Sequence, residues 1–392
     1  MLIGLVGKPN VGKSTFFKAA TLMDVLIANY PFATIKPNHA MAYIKIPDLA
    51  AQFGRVSNPR EGYVKQGWRF VPFELMDVAG LVAGASEGKG LGNQFLDDLA
   101  AADAFIHVVD MSGETDAEGK PSDVSHDPAE DIRIIEHELD LWYLGILKKA
   151  WSVFARRAEM EHIELAKAVA KQFSGLKVRV DQVEQVLRET KLPSEKPSLW
   201  TEEQLLAFAR VLRKKTKPMV IAANKVDRPR GAENCQRIKE MFHYPLVPCF
   251  ADGELSLRQA DKHGLVSYVP GEKTFEIKDT VSEKQRAALE SIRLVLEQYG
   301  GTGVQTVLNA TVLDVLGYVA IYPASLKLED SKGNVLPDCF LMPPGSTALD
   351  FAYRLHTDIG NGFVKALDLK TKKAVGKDHV LKNGDGLEIL TK

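Results

Sequence analysis

Two short segments of the chain carry residue types that handle a nucleotide at opposite ends. Gly7-Lys8-Pro9-Asn10-Val11-Gly12-Lys13-Ser14 follows the apolar run Met1 to Val6 and opens a stretch of good helix formers, Ser14 to Leu22. A strand, a glycine-bearing loop and a helix start, in that order, make a phosphate cradle: glycines let the backbone close around an anion, and successive N–H groups face it. Lys8, Pro9, Asn10, Val11, Gly12, Lys13, Ser14 and Thr15 are the candidate phosphate-binding set, with Lys13 neutralising the β/γ-phosphates and the Ser14 hydroxyl ligating Mg2+. Far downstream, Asn224-Lys225-Val226-Asp227 closes the apolar run Pro218 to Ala223. The C-terminal end of a strand is where doubly wound sheets bind ligands. Asp227 there can accept from guanine N1–H and N2–H2, Asn224 can hold the loop and approach the N7/O6 edge, and the Lys225 stem can cover the base. Adenine would leave the carboxylate unpaired, so the pair of motifs implies GTP and GDP as ligands.

Between these segments lie candidates for a switch. The strand pattern Arg69 to Met76 ends in Asp77-Val78-Ala79-Gly80, which places Asp77 to hold Mg2+ through water and the Gly80 amide to meet the γ-phosphate. Thr34, in Tyr30-Pro31-Phe32-Ala33-Thr34-Ile35, stands where a threonine closes on Mg2+ when the γ-phosphate is present. Leu81 follows Gly80 and cannot orient a water by hydrogen bonding. Gly84, Gly88, Gly90 and Gly92 make the next loop conformationally permissive.

The elements that must position these residues follow from the pattern. A chain of 392 residues is long enough for two or three domains. A net charge of -1 argues against a protein that coats nucleic acid over its whole surface, and DNA is not an expected partner. Cys235, Cys249 and Cys339 match no zinc or redox spacing. The N-terminus enters a strand pattern at once, no apolar run approaches a membrane span, and a cytoplasmic location with no membrane partner is expected. Between the strand Ala104 to Asp110 and the strand at Pro218 lie about a hundred residues, far more than a crossover helix needs. Ile132, Ile135, Leu139, Trp142 and Ile146 recur at helical spacing, and Trp151, Phe154, Ile163, Ala166, Ala170 and Phe173 extend the stripe into a long helix or hairpin. Val180, Val183 and Leu187 suggest a second helix, and Thr201-Glu202-Glu203-Gln204 is a capping box opening a third. Acids prevail from Asp110 to Leu147; basic clusters follow at Lys148-Lys149, Arg156-Arg157, Lys177 with Arg179, and Arg213-Lys214-Lys215 with Lys217. Such clusters are either a solvated face or an RNA-phosphate footprint. After Tyr322, strand patterns at Leu326–Leu328 and Val335–Met342 bracket a turn at Asp330–Asn334. A helix with Leu349, Ala352, Leu355 and Ile359 and further short strands then give a small α+β roll.

The chain resembles the Obg/YchF group of translation-factor-class P-loop GTPases, in its archaeal-type YchF-related branch. The residues that carry the resemblance are the loop at 7–14, Tyr30 to Ile35, and the glycine-rich stretch Asp77 to Leu96. The tail is similar to a TGS domain through Phe340-Leu341-Met342-Pro343-Pro344-Gly345-Ser346-Thr347 and Phe351 to Gly360, with His356 lacking any catalytic partner. The resemblance implies slow GTP hydrolysis with Lys13, Asn10, Thr34 and Gly80 in catalytic roles, Mg2+ at Ser14, Thr34 and Asp77, and K+ as a second cation held near Asn10. It also implies that Ala251, in Phe250-Ala251-Asp252 where Ser-Ala-Lys is usual, offers its N–H to the guanine carbonyl. YchF proper tends towards ATP, so an ATP-preferring NTPase or stress-linked nucleotide sensor is the alternative to a GTP switch acting on ribosome or RNA. The expected fold is α/β: a doubly wound, mostly parallel P-loop GTPase sheet at 1–126 and 217–318 with connecting helices, a helical, coiled-coil-like insertion at 127–216, and a C-terminal β-grasp TGS domain at 319–392.

Overall fold

The computed structural model describes residues 1–21, 39–78, 99–122, 125–149, 151–161 and 163–392. In chain order its strands are β1 (Leu2–Val6), β2 (His39–Pro47), β3 (Tyr63–Lys65), β4 (Trp68–Asp77), β5 (Ala104–Asp110), β6 (Met219–Asn224), β7 (Leu246–Pro248), β8 (Val266–Ser267), β9 (Glu276–Ile277), β10 (Val319–Pro323), β11 (Phe340–Met342), β12 (Phe363–Asp368), β13 (Ala374–Val375) and β14 (Asp385–Thr391). The helices used below are α1 (Lys13–Thr21), α2 (Pro128–Lys148), α3 (Trp151–Met160), α4 (Leu165–Gln172), α5 (Val180–Thr190), α6 (Glu202–Thr216), α7 (Gly231–Met241), α8 (Ala251–Lys262), α9 (Glu283–Tyr299), α10 (Val304–Asn309), α11 (Ala348–Leu355) and α12 (Thr357–Asn361). The chain forms two compact units.

The first unit holds Met1–Phe17 and Leu75–Asp252. Its strands β1, β5, β6 and β7 pair in parallel. β1, β5 and β6 are buried along their whole length, as parallel strands covered on both faces must be. Register fixes the site. Val6 pairs with His107 at the end of β1, while β5 and β6 run on in register to Asp110 and Asn224. The loop leaving β1 therefore lies beside the last residues of two longer strands.

The insertion shares one core with this sheet. Leu2, Val6 and Phe105 belong to the same buried cluster as Leu139, Trp142, Trp151, Val169, Phe173, Val183, Phe208 and Leu212. Where the sequence suggests one long helix or hairpin before the second helix, the chain makes three: α2, α3 and α4. Restarting at Leu165 turns Leu165, Ala166, Val169 and Ala170 inward, whereas Ile163 between the helices stays exposed. The capping box at Thr201 forms, its hydroxyl accepting from Gln204 N–H at 3.3 Å.

Most of the basic clusters in the insertion are engaged internally. Arg213 is 1% exposed and donates to Asp140 at 2.9 Å, with Arg210 on the other carboxylate oxygen. Lys214 pairs with Glu136 and Lys215 with Glu189. Lys217, also 1% exposed, donates to Ala100 O at 2.7 Å and to Ala102 O, and burial pulls its ammonium down to about 8. Arg213 and Lys217 are thus structural, whereas the Lys214 and Lys215 side chains keep 50% and 31% of their exposure.

The second unit holds Ala40–Glu74 and Gly253–Lys392. Its C-terminal sheet runs β11-β10-β14-β12-β13, with β10 and β14 parallel and the other pairs antiparallel. Ile321, Met342, Phe351, Ala366, Leu381 and Leu387 form its core under α11. The first strand is Val319–Pro323, upstream of the expected Leu326–Leu328, which instead sits in a turn closed by Leu328 N–H donating to Ser325 O at 2.9 Å. The expected single helix breaks at His356, whose Nδ1 accepts from Asp358 N–H at 3.2 Å and caps α12. This module is not free-standing: Arg69, 1% exposed, donates to Leu336 O at 3.2 Å and Pro337 O at 3.0 Å.

Candidate functional site

The phosphate loop leaves β1 with Gly7 at φ 146° and Gly12 at φ 98°. A Cβ on Gly7 would stand 2.5 Å from Val108 O, and one on Gly12 would stand 2.3 Å from Asn224 Nδ2. Both positions are therefore closed to any side chain. Inside the loop, Lys13 Nζ donates to Gly7 O at 3.0 Å and Lys8 O at 2.9 Å. Burial lowers the Lys13 pKa and the nearby Asp77 carboxylate opposes that shift. The lysine is thus held, desolvated, against carbonyls that an incoming phosphate would replace.

Ser14, at the start of α1, and Asp77, at the end of β4, are brought together: Ser14 Oγ donates to Asp77 Oδ2 at 3.0 Å. Asp77 Oδ1 is buried with no hydrogen-bond partner among the described residues. Burial raises the Asp77 pKa, against the Ser14 bond and the Lys13 charge. A buried, unshared carboxylate oxygen beside a hydroxyl is a donor set that fits a hard divalent cation. Thr34 and Gly80, with Leu81 and the glycines after it, lie outside the described residues.

Asn224 ends β6 and joins three loops. Its Nδ2 donates to Val11 O at 2.9 Å, and its Oδ1 accepts from Ala251 N–H at 3.1 Å. Ala251 N–H was expected to meet the guanine carbonyl; the structure gives it to Asn224 instead. The next amide, Asp252 N–H, lies in the first turn of α8, where no intrahelical acceptor exists. Lys225, at φ 63°, sends Nζ to Asn10 O at 3.1 Å and to Asp110 Oδ2 at 2.7 Å. The Asp227 carboxylate accepts from its own backbone N–H, and among the described residues the cation paired with it is Arg228, with Nε at 3.6 Å. Partial burial raises the Asp227 pKa, with Asp252 adding to the rise.

Two loop side chains point elsewhere than expected. Lys8 Nζ turns away from the cradle to Thr115 O at 3.0 Å and Asp131 Oδ2 at 2.9 Å, with both charged side chains at most 5% exposed. Its contribution to phosphate binding is therefore limited to its backbone. Asn10, at φ 61°, donates Nδ2 to Gly119 O at 2.9 Å. A carbonyl can only accept, so this contact fixes which end of the amide is nitrogen and leaves Oδ1 as its free acceptor. Pro9 is next to the same turn; Val11 and Thr15 are part of the loop and of α1 respectively.

Residues outside the two motifs complete the arrangement. Asp110, 1% exposed at the end of β5, accepts from Ser112 N–H at 3.0 Å, Ser112 Oγ at 2.5 Å, Thr115 Oγ1 at 3.1 Å and Lys225. His107 lies buried in β5, and desolvation, then the Lys13 charge, holds its pKa down at about 3. Asp110 shares with Asp77 and Asn224 a position at a strand's C-terminal end, which is the sequence signal that could have marked it. Gly119 and Asp131 carry no such signal.

Comparison with known proteins gives the family. A family profile described as 50S ribosome-binding GTPase matches residues 2–141, one described as Obg-like GTPase YGR210-like, G4 motif-containing domain, matches 222–325, and TGS domain matches 332–391. A GTP-binding protein of Methanocaldococcus jannaschii is 47% identical over 100% of this chain and 99% of its own length. The ribosome-binding ATPase YchF of Bacillus subtilis is 30% identical over 93% of this chain and 87% of its own. Among solved structures, a GTP-binding protein from Pyrococcus horikoshii OT3 superposes with a TM-score of 0.80 at 38% identity, covering 100% of both chains. The Schizosaccharomyces pombe YchF GTPase shares the fold, with a TM-score of 0.59 at 20% identity over 100% of this chain and 97% of its own. The chain belongs to the YchF-type Obg-like P-loop GTPases that carry a C-terminal TGS domain.

Proposed function

We propose that this protein binds GTP with Mg2+, hydrolyses it slowly to GDP and phosphate, and acts as a nucleotide-dependent switch on the ribosome. The observation that carries the reading is the Asn224 amide, which joins the phosphate loop at Val11 O to the base-side loop at Ala251 N–H, while the Asp227 carboxylate keeps acceptor sites for a guanine edge. Lys13 exchanges its loop carbonyls for phosphate oxygens on binding. Ser14 and Asp77 are the residues that would hold Mg2+, which when bound neutralises charge on the β/γ-phosphates. Asn10 Oδ1 is the acceptor that would face K+. The names of relatives such as the B. subtilis YchF support a ribosomal partner.

One observation favours a second reading. Ala251 N–H is taken by Asn224, and Phe250-Ala251-Asp252 lacks the usual serine and lysine, so the guanine O6 contact rests on fewer groups. Relatives named as ATPases accord with looser base selection, and an ATP-preferring NTPase remains the alternative. Phosphate release with GTP and ATP at equal concentration distinguishes the two. Sedimentation with ribosomes in a non-hydrolysable GTP analogue and in GDP tests the partner. Faster release from ATP overturns the GTP assignment, and equal sedimentation in both nucleotides overturns the switch.

A further inference from the structure

We propose that the turn Thr115–Pro121, in the connection between β5 and α2, is a positioning element that splints the phosphate loop from outside and holds it in the conformation that receives nucleotide. This rests on residues 7–14 being the nucleotide's phosphate loop.

The turn is built independently of that loop. Asp116 Oδ1 accepts from Glu118 N–H at 3.0 Å and Lys120 N–H at 2.8 Å. Asp116 N–H donates to Lys120 O and Gly119 N–H to Asp116 O, both at 2.9 Å, and Thr115 bridges Pro121. Asp110 anchors its entrance through Ser112 and Thr115. The turn then meets three consecutive loop residues. Lys8 Nζ donates to Thr115 O, and Asn10 Nδ2 donates to Gly119 O. Pro9 O lies where a Gly119 Cβ would be, 2.3 Å away, at a backbone φ of 81°. Only glycine permits that approach.

The physical need is clear. A phosphate loop aims several N–H dipoles at one point and holds Asn10 in the left-handed region; the Lys13 bonds brace it from within at Gly7 O and Lys8 O and do not reach Pro9 or Asn10. Side-chain bonds from Asn10 and Lys8 to fixed carbonyls brace that part from outside. Nucleotide then binds a formed loop and does not have to order one.

The test measures GDP affinity and dissociation rate with a fluorescent GDP. Asp116→Ala loosens the turn without touching the loop; the dissociation constant should rise roughly 3- to 10-fold, chiefly through faster dissociation, while the unfolding midpoint of nucleotide-free protein stays put. Gly119→Ala should raise it by 10-fold or more. In an Asn10→Ala background the Asp116→Ala effect should fall below about 2-fold, since the contact it supports is gone. A wild-type protein that binds no GDP refutes the nucleotide site itself. Wild-type binding with unchanged affinity in Asp116→Ala and Gly119→Ala, or with fully additive effects of Asp116→Ala and Asn10→Ala, overturns the splint.

Discussion

Asn224→Ala is the most informative single substitution, because one amide serves both halves of the nucleotide site. Asn224 is 3% exposed, Val11 1% and Ala251 0%, so water does not readily replace the lost groups. The substitution leaves a buried carbonyl and a buried N–H unpaired, at about 1–3 kcal/mol each. Some relaxation is expected, so the first unit should lose about 2–4 kcal/mol in urea unfolding. Loops that are no longer joined must be ordered by the ligand. The GDP dissociation constant should therefore rise about 10- to 100-fold, which is about 1.4–2.8 kcal/mol. Titration calorimetry with GDP and, separately, with tripolyphosphate locates the effect. A joint through Val11 O weakens both ligands, whereas a role confined to the base weakens GDP alone. A stability loss below about 1 kcal/mol, or tripolyphosphate affinity that does not change, refutes the reasoning.

Three further outcomes are expected. Lys8→Met leaves the buried Asp131 carboxylate with His126 Nε2, at 2.7 Å, in place of a full ion pair and should destabilise by about 3 kcal/mol, with part of the loss recovered in Lys8→Met/Asp131→Leu; equal losses in single and double variants would show that the pair is not the cause. His107 is held at about 3 in the fold against 6.5 in the unfolded chain, so the unfolded state alone takes up a proton as pH falls below 6.5. Stability should drop by about 2 kcal/mol between pH 7 and pH 5 from this group, and His107→Gln should flatten that part of the urea-unfolding profile. Asp227→Asn should move preference from GTP towards XTP in competition binding, because the carboxamide presents a donor where guanine needs an acceptor; loss of GTP binding with no gain for XTP would place the base elsewhere.

The strands carrying the site were legible because each is a short apolar run ending in a residue with a chemical task, as at Asn224 and Asp77. The helix start with a capping box at Thr201 was equally legible, since the cap and its reciprocal partner are three residues apart. What the sequence withheld depends on distance along the chain. Lys8 and Asp131 are an ordinary cation and anion until the fold brings them together across more than a hundred residues. Gly119 looks like any turn glycine until Pro9 occupies its Cβ position. Arg213 and Lys217 read as exposed because pattern alone does not reveal that Asp140 and the Ala100 and Ala102 carbonyls await them.

That internal pairing alters how the molecule is felt at long range. A paired cation and anion act as a dipole, whose potential decays faster than that of an isolated charge, and salt at physiological strength cuts even isolated charges off within about 8 Å. Most of the insertion's cations, though numerous, should therefore contribute little to drawing in a polyanion. In the second unit, by contrast, Lys365, Lys370, Lys372, Lys373, Lys377 and Lys382 are exposed and enter no ion pair among the described residues. They cluster along the β12–β13 hairpin and the loop after it, with Lys370 acting on the nearby Asp368 carboxylate. If RNA is the partner, the salt dependence of binding should follow these lysines, with the insertion's exposed Lys149, Arg156, Lys171, Lys191 and Lys196, and not the paired cations of the helices.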